Sequence, residues 1–91
     1  MIQVKTINNN EFQVTIQENS SQSKHTVHLN DDVYQRLTNE KIARDELIRL
    51  SFEFLLNREP KESILSEFNL TLISTYFPDY EQDIRKTIAE I

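Results

Sequence analysis

The sequence predicts an α+β fold: a three-stranded antiparallel N-terminal meander followed by four to five helices, the longest packed on the sheet. Over about the first thirty positions apolar residues alternate with polar ones, which is typical of strands with one buried face. After that point the apolar residues recur every three or four positions, as they do in helices. The chain of 91 residues is predicted to be a single domain, 1–91, with the meander in 1–30 and the helical part in 31–91.

Three short segments near the N-terminus carry the strand pattern. Their apolar positions are Ile2 and Val4, then Phe12, Val14 and Ile16, then Val27 and Leu29. The first two strands are joined through Asn8, Asn9 and Asn10, which suit a tight hairpin, and the next two through a polar loop from Glu18 to Ser23. Short links between sequential strands favour antiparallel pairing with one face in water, so the helices are expected to cover the other face.

The helical part is predicted to begin with a short helix that Asn30 or Asp31 caps. The longest helix should run from about Ala43 to Asn57, and more than half of its circumference is apolar. A helix of that kind is expected to be buried between the sheet and other helices. Three shorter helical segments are predicted to begin at Pro60, Asn69 and Asp79. The apolar residues of the first of these are Ile64, Leu65 and Phe68.

The composition excludes several classes of function. The chain has no cysteine, which rules out disulfides, thiol nucleophiles and cysteine-based zinc sites. It also has no glycine, which a phosphate-binding loop or a dinucleotide-binding turn requires for close backbone approach. Turns that need a positive φ should therefore use asparagine or aspartate. The net charge of -5 disfavours nucleic acid as a partner.

Catalytic, metal and membrane signals are also missing from the sequence. His25 and His28 lie three apart on a predicted strand, so they should point to opposite faces and are badly placed to share a metal. We therefore expect no catalytic, cofactor-binding or metal-binding residues, and a protein that is not an enzyme. No apolar run is long enough for an export signal or a membrane span, so the expected location is the cytoplasm, without membrane partners.

An aromatic cluster around Pro78 is the one candidate for a binding surface. Tyr76, Phe77 and Tyr80 would either pack at a corner between two helices or form a patch that binds a partner. Aromatic residues are enriched in the centres of protein interfaces, which keeps the second interpretation open.

The stretch from His25 to Glu59 resembles the ribbon-helix-helix regulators. The residues that carry the resemblance are Thr26–Leu29 as the ribbon, Asp32–Leu37 as the first helix and Asp45–Phe52 as the second. In that family the ribbon pairs with the ribbon of a dimer mate and its outward residues read the major groove of DNA. The resemblance therefore implies that Thr26 and His28 contact DNA, although the family's usual glycine between the helices and its basic bias are missing here.

A second resemblance covers Ser51–Leu65, which reads SFEFLLNREPKESIL, and Tyr76–Glu81, which reads YFPDYE. These stretches are similar to a set of short bacterial proteins without an assigned activity. This resemblance implies a bacterial origin and no particular site.

Two functions follow from these observations as hypotheses. The first is a non-catalytic domain that acts through protein–protein contacts, either with another protein or with a second copy of itself as a homodimer. The alternative is a DNA-binding regulator or antitoxin of the ribbon-helix-helix type. The pairing of strand 25–29 separates them, because a ribbon must pair with a mate, whereas a meander strand pairs within its own chain.

Overall fold

The computed structural model describes all residues, 1–91, and consists of a four-stranded sheet with four α-helices. The strands are β1 (Ile2–Asn8), β2 (Glu11–Glu18), β3 (Ser21–His28) and β4 (Glu67–Asn69), and they lie side by side in that order. The helices are α1 (Asp31–Thr38), α2 (Arg44–Leu56), α3 (Leu72–Tyr76) and α4 (Tyr80–Ala89). A single 3-10 turn, Lys61–Ser63, precedes β4.

The first three strands form an antiparallel meander with two tight turns. Asn9 and Asn10 connect β1 to β2, and Asn19 and Ser20 connect β2 to β3. Asn19 has a φ of 55°, so an asparagine takes the left-handed conformation for which glycine is otherwise used. The second link is therefore a two-residue turn rather than the expected polar loop from 18 to 23, and β3 begins at Ser21.

The predicted fold of three antiparallel strands is wrong, because a fourth strand makes the sheet mixed. β4 pairs in parallel with β3, and Phe68 lies beside Val27. The segment from Pro60 was expected to be a helix because Ile64, Leu65 and Phe68 have helical spacing. Only three of its residues form a helical turn, which is of the 3-10 type. The structure has four α-helices, whereas four to five helices were expected. The free edge of β3 decides this, since its unpaired backbone groups bind the passing segment.

One continuous core holds the sheet and the helices together. It contains 21 buried apolar residues drawn from strands and helices alike. The longest helix, α2, lies in the middle of it: the ring of Phe52 packs 5.5 Å from that of His25 on the sheet. On its other side, the ring of Phe54 meets that of Tyr80 at 5.2 Å. None of the helices has the length and apolar character needed to span a bilayer.

Candidate functional site

An apolar groove of about 280 Å³ opens where the end of α2, the segment before β4, and α3 meet. Eight of the ten residues that line it are hydrophobic. The lining residues are Leu55, Glu59, Ser63, Ile64, Leu65, Phe68, Leu72, Ile73, Tyr76 and Phe77. Phe68 and Ile73 are buried core residues, so the base of the groove is continuous with the core. We call this surface the β4–α3 groove.

Two large side chains at the β4–α3 groove are exposed. Tyr76 is 64% exposed and Leu65 is 47% exposed. The other large exposed hydrophobic residues, Met1, Ile7 and Ile91, do not line it. Single exposed apolar residues need no explanation, but these two share one apolar groove.

The charge of the β4–α3 groove comes from one carboxylate. Glu59 lines the groove and forms no ion pair. The neighbouring cations are engaged elsewhere: Arg58 pairs with Asp79 at 3.0 Å and stacks on the ring of Phe54. Lys61 is buried and pairs with Glu62. The groove therefore presents apolar walls and one uncompensated negative charge.

The structure divides the predicted aromatic cluster between surface and core. Tyr76 and Phe77 line the β4–α3 groove, and Phe77 also meets Phe54 edge to face at 5.9 Å. Tyr80 does not join them, because it is 1% exposed and its hydroxyl bonds to Ser51 at 2.6 Å. Desolvation raises the pKa of the buried Tyr80 phenol well above its ordinary value. Tyr80 therefore belongs to the core and does not line the groove.

Sequence reasoning missed the rest of the β4–α3 groove, including Leu65, Leu72 and Glu59. Leu65 was expected in a short helix with Ile64 and Phe68. In the structure Ile64 is buried and Leu65 is 47% exposed, in the irregular stretch just before β4 begins at Glu67. No local signal would have identified Leu65 as exposed, because the strand that follows it, β4, is too short to show an alternation.

The two residues that the ribbon-helix-helix resemblance assigned to DNA lie on the outer face of the sheet. Thr26 is half-buried there, and the Nε2 atom of His28 lies 2.7 Å from the Glu67 carboxylate. At these positions β3 is bonded to β2 on one side and to β4 on the other. Strand 25–29 therefore pairs with its own chain over this stretch and has no free edge there for a dimer mate.

The two histidines point to opposite faces, and His25 is buried with both ring nitrogens engaged. Nδ1 lies 2.7 Å from the carbonyl oxygen of Leu65, and Nε2 lies 2.9 Å from the Ser23 hydroxyl. No group of three or more His, Cys, Asp or Glu side chains is arranged to hold a metal ion. The β4–α3 groove, with its apolar walls and the exposed Tyr76 and Leu65, is therefore the candidate site.

No protein-family model matches the chain, and no curated protein or solved structure is detectably similar to it.

Proposed function

We propose that this chain is a protein-binding domain whose β4–α3 groove takes a short segment of another protein. The segment carries two or three apolar side chains and one lysine or arginine. The observation that carries the proposal is the exposure of Tyr76 and Leu65 on an apolar groove that also contains the unpaired Glu59.

The apolar walls explain why a partner would bind. Covering Tyr76 and Leu65 removes apolar surface from water, which contributes about 25 cal/mol for each Å² covered. Tyrosine is also one of the residues that most often dominate interface energies, because its ring is large and loses little conformational freedom. At about 280 Å³ the groove lies just below the roughly 300–1,000 Å³ of small-molecule sites, so it suits side chains of a segment better than a whole metabolite.

The charge of the groove selects the kind of partner. Glu59 has no cation of its own chain within ion-pair distance, and the chain as a whole carries a net charge of -5. A basic residue in the bound segment would pair with Glu59, whereas an acidic one would be repelled. The same negative balance disfavours a second copy of this chain as the occupant.

We do not propose DNA binding as a second function. The ribbon of that family needs a strand with a free edge, and β3 is paired on both sides over 26–28. The carboxylate of Glu67 beside His28 would also repel a phosphate backbone.

The proposal is tested with a displayed library of random peptides, selected on the full-length protein. Selected peptides should combine apolar residues with lysine or arginine and bind with a Kd in the micromolar range, as expected for a short segment. Tyr76→Ser should raise the Kd at least about tenfold, since losing an interface tyrosine removes about 2 kcal/mol. Glu59→Gln should weaken the binding of the basic peptides by a smaller factor.

Ile7→Ser is the matched control, because Ile7 is also an exposed apolar residue but lies on β1, away from the groove. It should leave the Kd within about twofold of the unchanged protein, a difference of about 0.4 kcal/mol. Peptides that bind Tyr76→Ser as tightly as the unchanged protein would refute the proposal. A dimer of the unchanged protein that Tyr76→Ser dissociates would refute it too, because the occupant would then be a second copy.

A further inference from the structure

We infer that the bound segment is an extended strand that pairs with the free edge of β4 and extends the sheet to five strands. This inference rests on the proposed function and adds the conformation of the ligand to it. It joins two features that the structure places side by side: an edge strand with unpaired backbone groups and the β4–α3 groove next to it.

The backbone of β4 has one bonded side and one open side. The carbonyl of Ser66 accepts from Thr26 N at 2.7 Å, and Leu70 N donates to the carbonyl of His28 at 2.9 Å. In a parallel ladder the groups of alternate residues point to the same neighbour, so those of Glu67 and Asn69 point away from β3. β4 is the last strand of the sheet, and these N–H and C=O groups meet no other strand.

The open edge and the groove meet at Phe68. Its side chain points from β4 into the core and forms part of the groove lining. A strand added beside β4 would place every second side chain on the same face as Phe68, over Leu65 and Leu72. Backbone bonds to Glu67 and Asn69 would supply affinity, and the groove would select the side chains, as in other cases of strand addition.

The edge is held in place before any ligand arrives. The ring of His25 bonds to Leu65, and β3 bonds to Ser66 and Leu70 on either side of the edge. A rigid edge loses little conformational freedom on binding, so more of the interaction energy becomes affinity. A helical ligand would use only the groove and leave the backbone groups of Glu67 and Asn69 in water.

The test uses a peptide selected on the full-length protein whose binding depends on Tyr76. Amide hydrogen exchange is followed by NMR with and without saturating peptide. The amides of Glu67 and Asn69 should exchange at least about tenfold more slowly in the complex, because they become bonded between strands. Val4 is the internal control: it lies on the free edge of β1, outside the β4–α3 groove, and its exchange should not change.

A substitution tests the hydrogen bond that the Glu67 amide would donate to the bound strand. Glu67→Pro removes an N–H that β3 does not use, and proline is tolerated at such edge positions. It should raise the peptide Kd about tenfold, while Glu67→Ala, which keeps the N–H, should stay within about twofold. If Glu67→Pro does not fold, the exchange measurement on the unchanged protein decides.

The outcomes separate the two proposals. Tyr76-dependent binding with unchanged exchange at Glu67 and Asn69 would overturn the strand inference and leave the proposed function standing. If no peptide depends on Tyr76, both are overturned. Protection of both amides, together with loss of affinity in Glu67→Pro where it folds, supports both.

Discussion

Tyr80 and Ser51 form a hydroxyl pair inside the core. Their oxygens are 2.6 Å apart, and Ser51 Oγ also lies 2.8 Å from the carbonyl oxygen of Leu47. The serine hydroxyl has one hydrogen and a carbonyl can only accept, so Ser51 donates to Leu47 and accepts from Tyr80. Because its pKa is raised by burial, the Tyr80 phenol keeps its proton and remains a donor.

Because Tyr80 donates and Ser51 accepts, we predict that removing one hydroxyl destabilises the protein more than removing the other. Ser51→Ala leaves the buried Tyr80 hydroxyl without an acceptor and should lower the free energy of unfolding by about 1–3 kcal/mol. Tyr80→Phe leaves Ser51 bonded to Leu47 and should lower it less, by about 0.5–1.5 kcal/mol. Urea unfolding at pH 7 measures both values.

The double variant is the control for this pair. Combining Tyr80→Phe with Ser51→Ala removes the orphaned hydroxyl, so it should be less destabilised than Ser51→Ala alone. A larger loss for Tyr80→Phe than for Ser51→Ala would contradict the assigned direction of the bond.

At the scale of elements, β4 depends on a side chain from the neighbouring strand. The carbonyl of Leu65 can only accept, so Nδ1 of His25 carries a hydrogen and donates to it, while Nε2 is bonded to the Ser23 hydroxyl. The bond to Leu65 joins β3 to the segment that leads into β4, across 40 positions of the chain. His25 therefore positions the edge strand that borders the groove.

We predict that His25→Phe loosens β4 while the rest of the sheet stays intact. Phenylalanine keeps a ring against Phe52 but leaves the Leu65 carbonyl without its donor, which should lower the free energy of unfolding by about 1–3 kcal/mol. Exchange of the Leu70 amide, which bonds to His28, should become faster.

Ser23→Ala is the comparison for His25→Phe, because it removes the bond to Nε2 and leaves that to Leu65. Ser23 is half-buried, so water can replace its hydroxyl at Nε2; the free energy of unfolding should fall by no more than about 1 kcal/mol, and exchange at Leu70 should not change. Equal acceleration of Leu70 exchange in both variants would show that His25 has no particular role in holding β4.

The helices and strands that the sequence predicted best are those whose apolar residues repeat regularly along the element itself. The helix expected over 43–57 is α2, Arg44–Leu56, because its broad apolar stripe repeats over three turns. β4 was missed because three residues are too few to show an alternation. The β4–α3 groove was missed for the same reason, because Leu65 and Phe68, which line it, were expected in a helix.

The whole molecule has a single core that both halves of the chain build. Seven of the 21 buried apolar residues follow Asn57 in the sequence. They are Ile64, Phe68, Leu70, Ile73, Tyr80, Ile84 and Ile88. A third of the core is therefore supplied after the meander and α2 are complete, so the first part should not be stable by itself.

We predict that the full chain unfolds in one cooperative step. Urea midpoints from far-UV circular dichroism and from tyrosine fluorescence should coincide, as they do for small domains with one core. A fragment of residues 1–57 should show no cooperative transition, because it leaves much of the apolar face of α2 in water. Two separate transitions, or a fragment that folds alone, would contradict this prediction.

The sequence by itself determined the features that depend on neighbouring residues. Period-two alternation indicated the first three strands, helical periodicity indicated α2, and the lack of glycine and cysteine excluded whole classes of site. Each of these signals lies within a few residues of the position it describes. The aromatic cluster around Pro78 was also visible, but not which of its members reach the surface.

Only the tertiary structure decided the fourth strand and the groove beside it. β4 exists because the edge of β3, about 40 positions earlier, offers backbone groups that the passing segment can bind. Tyr80 is buried because α4 places it against Phe54 and Ser51, whereas Tyr76 is exposed. These contacts join distant parts of the chain, and no local pattern of apolar residues records them.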